Sequence, residues 1–131
     1  MRRKGQHFLV DAGVISRLAD YAELSSTDRV LEIGPGTGNL TCVLAERAGC
    51  VYAIEVDPAL AEDLRGRFAN VEVIRGDALK VDLPRYNKIV SNLPYQISSQ
   101  ITYRFLKRPF DLAVLMYQKE FAQRMLARPG Q

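Results

Sequence analysis

The chain has 131 residues, 47% hydrophobic and 25% charged, with a formal net charge of +3. This is a globular composition at a length suited to one domain, and no apolar run reaches the roughly 18 residues a membrane span needs. A secretory leader is not expected, because the basic start Met1-Arg2-Arg3-Lys4 is followed by no apolar stretch.

In chain order, apolar positions at Val14, Ile15, Leu18, Ala19 and Ala22 predict a helix over 11–23. Arg29–Ile33 reads as a short apolar strand closed by Gly34. The helix over 38–48 follows, with Leu40, Val43, Leu44 and Ala48 inward. Val51–Glu55 is the second strand. Asp57-Pro58 opens another helix, since Asp is a favourable N-cap and Pro suits the first helical position. Val71–Ile74, Lys88–Ser91 and Leu112–Met116 read as the third, fourth and fifth strands. A helix is expected over 96–107 and another over 118–127. Alternating strands and helices predict an α/β fold: a doubly wound, mostly parallel sheet of about five strands with helices on both faces. In such sheets ligands bind beyond the carboxyl ends of the strands, where the strand order reverses.

Charge is unevenly distributed. Residues 1–4 carry three basic groups, 5–100 carry nine basic and thirteen acidic, and 101–131 carry six basic and two acidic. An acidic middle between basic ends is compatible with ordinary solvated surface or with a polyanion held by the ends. Arg2, Arg3, Lys4, Arg104, Lys107, Arg108, Arg124 and Arg128 are the candidate phosphate contacts. Cys42 and Cys50 form no CxxC or zinc pattern and read as reduced, buried thiols.

Three segments at strand ends carry candidate chemistry. In Glu32-Ile33-Gly34-Pro35-Gly36-Thr37-Gly38 the alternating glycines let the backbone turn sharply and approach a ligand, ahead of a helix N-terminus. The same loop is compatible with a plain tight turn. Asn39 stands where a dinucleotide fingerprint wants its third small residue, which disfavours NAD. Glu55, 21 residues after Gly34, is where a ribose-binding carboxylate should stand. Asp77 can accept from an adenine amino group or simply hold its own turn. Phe8 reads as packing. Together Glu32, Glu55 and Asp77 make the pocket acidic, which suits a sulfonium cation and repels pyrophosphate. S-adenosylmethionine fits better than a nucleotide phosphate.

Asn92-Leu93-Pro94-Tyr95 follows the fourth strand, with Pro94 stiffening the turn. The Asn92 side-chain oxygen and the Leu93 carbonyl are placed to grip the hydrogens of an amino group on a base. That grip would favour a pyramidal nitrogen and free the lone pair otherwise delocalised into the ring. Positioning and electrostatics would then suffice against an already electrophilic sulfonium. Tyr95 offers a face for stacking an unstacked base. A strand-to-helix turn with a capping Asn is the bland alternative.

On these residues the chain resembles the rRNA adenine N6,N6-dimethyltransferases that modify small-subunit rRNA. Gly5-Gln6-His7-Phe8-Leu9 followed by Asp11, the glycine loop, Glu55-Val56-Asp57, Gly76-Asp77-Ala78-Leu79, Asn92-Leu93-Pro94-Tyr95 and Met116-Tyr117-Gln118-Lys119-Glu120-Phe121-Ala122 are similar to that family's motifs in order and spacing. His7 stands where bacterial members usually have Asn and archaeal and eukaryotic members often have His. The resemblance implies a Rossmann-like methyltransferase fold, S-adenosyl-L-methionine as cofactor and no metal. It implies His7, Leu9, Gly34, Gly36, Glu55, Asp77 and Asn92 as cofactor contacts, and Asn92, Leu93, Pro94 and Tyr95 around the target adenine. It further implies small-subunit rRNA in a pre-ribosomal particle as partner, and a cytoplasmic location. The large-subunit, antibiotic-resistance branch is the nearest enzymatic rival; an assembly or transcription factor without activity is the rival of another class. Family sheets have seven strands and a helical C-terminal domain follows, so a 131-residue chain is expected to be the N-terminal part, with its fifth strand left as an apolar edge open to self-association.

Overall fold

A computed structural model describes residues 8–93 and 97–117. Its elements are α1 (Ala12–Tyr21), β1 (Arg29–Ile33), α2 (Asn39–Arg47), β2 (Cys50–Glu55), α3 (Pro58–Leu64), β3 (Val71–Arg75), β4 (Lys88–Leu93), α4 (Ser98–Phe105) and β5 (Leu112–Tyr117). Local chemistry sets the helix starts. The Asp11 carboxylate accepts the Val14 N–H at 3.1 Å, and Asp57 accepts from Ala59 and Leu60 ahead of Pro58. α2 begins at Asn39 because Gly38, at φ 90°, turns left-handed before it.

The five strands are all parallel, in the order β3-β2-β1-β4-β5. From β1 the chain winds outward through β2 to β3, then returns to β4 on the other side. The strand order therefore reverses between β1 and β4. Alternate residues feed two cores. Val30, Val51 and Val90 pack with Ile15 and Leu18 of α1 and Leu40 and Leu44 of α2. Leu31, Ile33, Tyr52, Ile54, Ile89 and Leu93 pack with Ile101 and Phe105 of α4 on the opposite face. The period of two is the signature of strands covered on both faces.

Departures from expectation here come from partners distant in the chain. β4 runs on through Asn92 and Leu93, because β5 continues to pair with it at Asn92↔Met116 and Leu93↔Tyr117. No helix joins β3 to β4; residues 76–87 form an irregular strap whose carbonyls are met by arginines. Arg108 donates to Leu83 and Pro84 at 3.0 and 3.1 Å, Arg29 to Arg85 at 3.1 Å, and Arg104 to Ala78. Two of the arginines proposed as phosphate contacts, Arg104 and Arg108, thus have their guanidinium groups committed to the strap. The helix expected over 118–127 lies outside the described residues, as do Arg2, Arg3, Lys4, Arg124 and Arg128.

At the opposite end of the sheet from the strand termini that carry the motifs, a polar cluster ties β1, β4 and α1 together. Lys88 pairs with Asp28 at 3.0 Å, both largely buried, and donates to the carbonyls of Ala22 and Glu23. Asn87 bridges Asp28 and Asp111. Burial alone would raise the Asp28 carboxyl, but hydrogen bonds from Asn87, Lys88 and the Ser25 N–H prevail and hold it below its ordinary value.

Candidate functional site

A small cleft opens at the reversal point, lined by Phe8, Leu9, Glu32, Gly34, Pro35, Gly36, Leu40 and Asn92. Tertiary folding thereby brings Leu9, Gly34, Gly36 and Asn92, named from three separate segments, onto one cavity. Gly34 has φ +68°, and a Cβ there would meet nothing within 4 Å, so the space beside it belongs to the cleft. Gly36 has φ +59°, and a Cβ would fall 2.8 Å from the Phe8 ring, which lies against the loop. Asn39 donates to the Leu9 carbonyl at 3.1 Å and fixes that segment over α2.

The sheet itself is opened here. β1 and β4 pair at Val30↔Lys88 and Leu31↔Ile89. Further along, the Ser91 hydroxyl takes over: it donates to the Ile33 carbonyl at 2.8 Å and accepts the Ile33 N–H at 3.1 Å. One buried side chain thus satisfies both backbone groups where the ladder between these strands ends. Sequence reasoning missed Ser91; a small hydroxyl in an otherwise apolar strand, one residue before Asn92, was the available signal.

Next to it, the Asn92 Oδ1 is buried and has no hydrogen-bond partner among the described residues. Buried polar atoms are rarely left unpaired, so this acceptor, at the lip of the cleft, is a place for a ligand donor. Leu93 is fully buried, packed with Ile101 and Phe105. Its side chain belongs to the core, which leaves its backbone as the part able to face a ligand. His7, Pro94 and Tyr95 lie outside the described residues.

Glu32 reaches the cleft from β1 and is sealed against α2, accepting from the Thr41 hydroxyl at 2.6 Å. Burial pushes its carboxyl from 4.5 up to about 8; the Thr41 hydrogen bond opposes this and the neighbouring charge of Glu55 adds to it. Glu55 is also buried, but both its oxygens are engaged with backbone: Oε1 accepts from Gly36 at 3.0 Å and Oε2 from Asp57 at 2.9 Å. It braces the glycine loop from behind, and each oxygen keeps a further acceptor position. Asp77 follows β3, two residues beyond the Arg75 that pairs with Glu55. Its Oδ1 accepts the Leu79 N–H at 2.8 Å, closing a turn, and Oδ2 is the remaining oxygen. Among the described residues no group of three His, Cys, Asp or Glu is placed to hold a metal ion.

The arrangement fits a cationic, adenosine-bearing ligand. Glycines give it room, the buried Glu32 carboxyl lines one side, and Asn92 supplies an acceptor with no partner among the described residues. The family model for ribosomal RNA adenine dimethylase matches residues 1–131. This chain belongs to the ribosomal RNA adenine dimethylase family.

Other relatives of the family bear this out. The chain is 64% identical over 128 residues to a probable ribosomal RNA small subunit methyltransferase A of Thermococcus onnurineus, covering 96% of this chain and 47% of that protein. A counterpart in Methanothermobacter thermautotrophicus is 60% identical over 131 residues, covering 98% and 48%. The chain spans about half the length of the curated relatives it matches. Among solved structures, a dimethyladenosine transferase from Plasmodium falciparum superposes with a TM-score of 0.81 at 39% identity, over 95% of this chain and 48% of that one. The 23S rRNA methyltransferase ErmE superposes at 0.78 with 38% identity, over 92% and 52%. The Rossmann-like methyltransferase fold of this chain is therefore shared by a protein named as a dimethyladenosine transferase and by one named as a 23S rRNA methyltransferase.

Proposed function

We propose that the chain is the cofactor-binding, catalytic part of an S-adenosyl-L-methionine-dependent methyltransferase that dimethylates N6 of adenines in small-subunit rRNA during ribosome biogenesis. The observation that carries this reading is the unpartnered, buried Asn92 Oδ1 at the cleft beside the glycine loop. When bound, S-adenosylmethionine supplies an electrophilic methyl group on a sulfonium.

The chain's own residues do the rest. Gly34 and Gly36 give the ligand backbone to lie against, with Leu9 closing one side. Glu55 holds the loop in shape and offers its spare acceptor positions to the ribose hydroxyls; Asp77 Oδ2 accepts from the cofactor's adenine amino group. His7 contacts the methionine end. Asn92 Oδ1 and the Leu93 carbonyl hold the target amino hydrogens, favouring a pyramidal nitrogen whose lone pair is aimed at the methyl carbon. Pro94 and Tyr95 frame the target base, Tyr95 by stacking on it. Preorganised acceptors acting in a dry site are the main source of acceleration.

The rRNA partner is met within a pre-ribosomal particle in the cytoplasm, with no membrane and no metal involved. No helix among the described residues is long and apolar enough to cross a membrane. The outer edge of β5, which has no strand partner among the described residues, is a surface for self-association. The likeness to ErmE favours one second reading, methylation of large-subunit rRNA.

Labelled methyl transfer separates the readings. The full-length gene product with the cofactor should label immature small subunits and leave large-subunit transcripts unlabelled. Labelling only the large-subunit transcript would establish the second reading. No incorporation with cofactor bound would leave a factor that keeps the fold without the activity.

A further inference from the structure

Arg104 is basic, half-buried and was a candidate for RNA phosphate, yet its Nη1 donates to the Ala78 carbonyl. That carbonyl belongs to the same planar peptide unit as the Leu79 N–H, and the Leu79 N–H donates to Asp77 Oδ1 at 2.8 Å. The turn is otherwise closed on itself: the Asp77 carbonyl accepts from Lys80 and Val81 at 2.8 and 2.9 Å, and Val81 packs over Gly76, where a Cβ would meet it at 2.5 Å. Ala78, Leu79 and Val81 seat the turn in the core beside Ile101 and Phe105, and polar ties at its backbone set its orientation. Upstream, the Gly76 N–H donates to the Glu55 carbonyl at 3.0 Å. From the other side the polar tie is Arg104, carried on α4, the helix that begins five residues after Leu93.

We propose that Arg104 is a positioning residue for the cofactor's adenine subsite: through the Ala78–Leu79 peptide it fixes Asp77 Oδ1 and so aims Oδ2 at the adenine amino group. The guanidinium polarises the peptide it binds, which strengthens the N–H held by Oδ1. One helix then braces both subsites, the target-base segment at its start and the adenine turn through Arg104. This inference rests on the cofactor reading above and extends it to a residue outside the family motifs. Arg108 makes the contrasting case. It clamps the same strap at Leu83 and Pro84 and lies over the Tyr86 ring, away from Asp77.

The test compares binding of S-adenosylhomocysteine with binding of its purine analogue lacking the 6-amino group, by calorimetry on the 131-residue chain and its variants. In the unmutated protein, loss of the amino group should weaken binding about ten-fold, one charge-assisted hydrogen bond. In Arg104→Met that penalty should shrink to about two-fold or less, with the parent ligand itself bound about ten-fold more weakly. Arg104→Lys, which keeps a charged donor, should restore part of the penalty. Arg108→Met should lower the melting temperature and keep the full penalty. A full amino-group penalty at unreduced affinity in Arg104→Met, or in Arg104→Ala should the Met variant not fold, overturns the inference alone. So does loss of the penalty in Arg108→Met, because general loosening of the strap would then explain both. Failure of the unmutated protein to bind S-adenosylhomocysteine overturns the cofactor reading, and this inference with it.

Discussion

At the scale of single residues, the site is built from polar atoms placed where burial makes them consequential. Glu32 is the sharpest case. Its carboxyl is raised from 4.5 to about 8, chiefly by burial, so the fold favours its protonated form. The stability this contributes is complete below pH 4.5 and is lost as pH rises toward 8. In that window the cofactor-free protein should lose about 1.4 kcal/mol per pH unit from this group. Glu32→Gln keeps an acceptor for the Thr41 hydroxyl and carries no charge. Its urea midpoint should stay flatter than the parent's between pH 5 and 8, and parallel curves would refute the account. Asn92 gives a second prediction. Asn92→Ala removes the unpartnered acceptor at the cleft and leaves the glycine loop and its Glu55 brace in place. Cofactor affinity should change by no more than a few-fold, while turnover falls about 100-fold or more, the scale of losing a preorganised electrostatic contact. Equal losses in the two measurements would contradict the assigned role. Gly34 and Asn92 were singled out by type and spacing, and both line the cleft. Ser91 was not, because a lone serine in a strand says nothing until the facing strand places Ile33 against it.

Elements were legible where local chemistry decides them. β1 occupies its expected residues, and the Asp57-Pro58 start of α3 is as expected, since an N-cap and a proline act within one turn. The end of β4 was not legible. Asn92 and Leu93 read as a post-strand turn before Pro94, but pairing with β5 keeps them extended, a long-range effect invisible in the tetrapeptide. The strap over 76–87 likewise depends on partners in α4 and β1 rather than on its own pattern. At the far end of β4, Lys88 and Asp28 form a largely buried pair, and removing one partner leaves the other uncompensated. Lys88→Met should cost about 3 kcal/mol in urea unfolding, and Lys88→Met with Asp28→Asn less than the two single losses combined. Additive losses would show that the two side chains do not interact. The Asp28 contribution has the opposite pH sense to that of Glu32. Its carboxyl is lowered, so the stability it gives is present above about 3.8 and is lost on further acidification.

For the whole molecule, the parallel order β3-β2-β1-β4-β5 places the described residues of the strand-end motifs at one end of the sheet and the Asp28–Lys88 cluster at the other. That separation lets the polar cluster stabilise the fold while the motif end keeps an open cleft. The sheet's outer strand β5 carries Leu112 through Met116 half-buried and Tyr117 exposed. An edge of this kind favours strand addition. Sedimentation of the 131-residue chain should therefore reveal a concentration-dependent dimer at micromolar concentration, and a monomer at every concentration would refute the edge proposal.

By itself, the sequence determined the class of fold, the family and the set of motif residues. Hydrophobic period, caps and glycine spacing are local properties, and a chain can be read for them in order. Only the tertiary structure decided how those residues are used. It tied both Glu55 oxygens to the Gly36 and Asp57 N–H groups, and gave Arg104 and Arg108 to the strap. It also left Asn92 Oδ1 buried without a partner among the described residues. Each of those outcomes depends on which groups from distant segments arrive at hydrogen-bonding distance, and that is fixed by strand order and packing rather than by spacing along the chain.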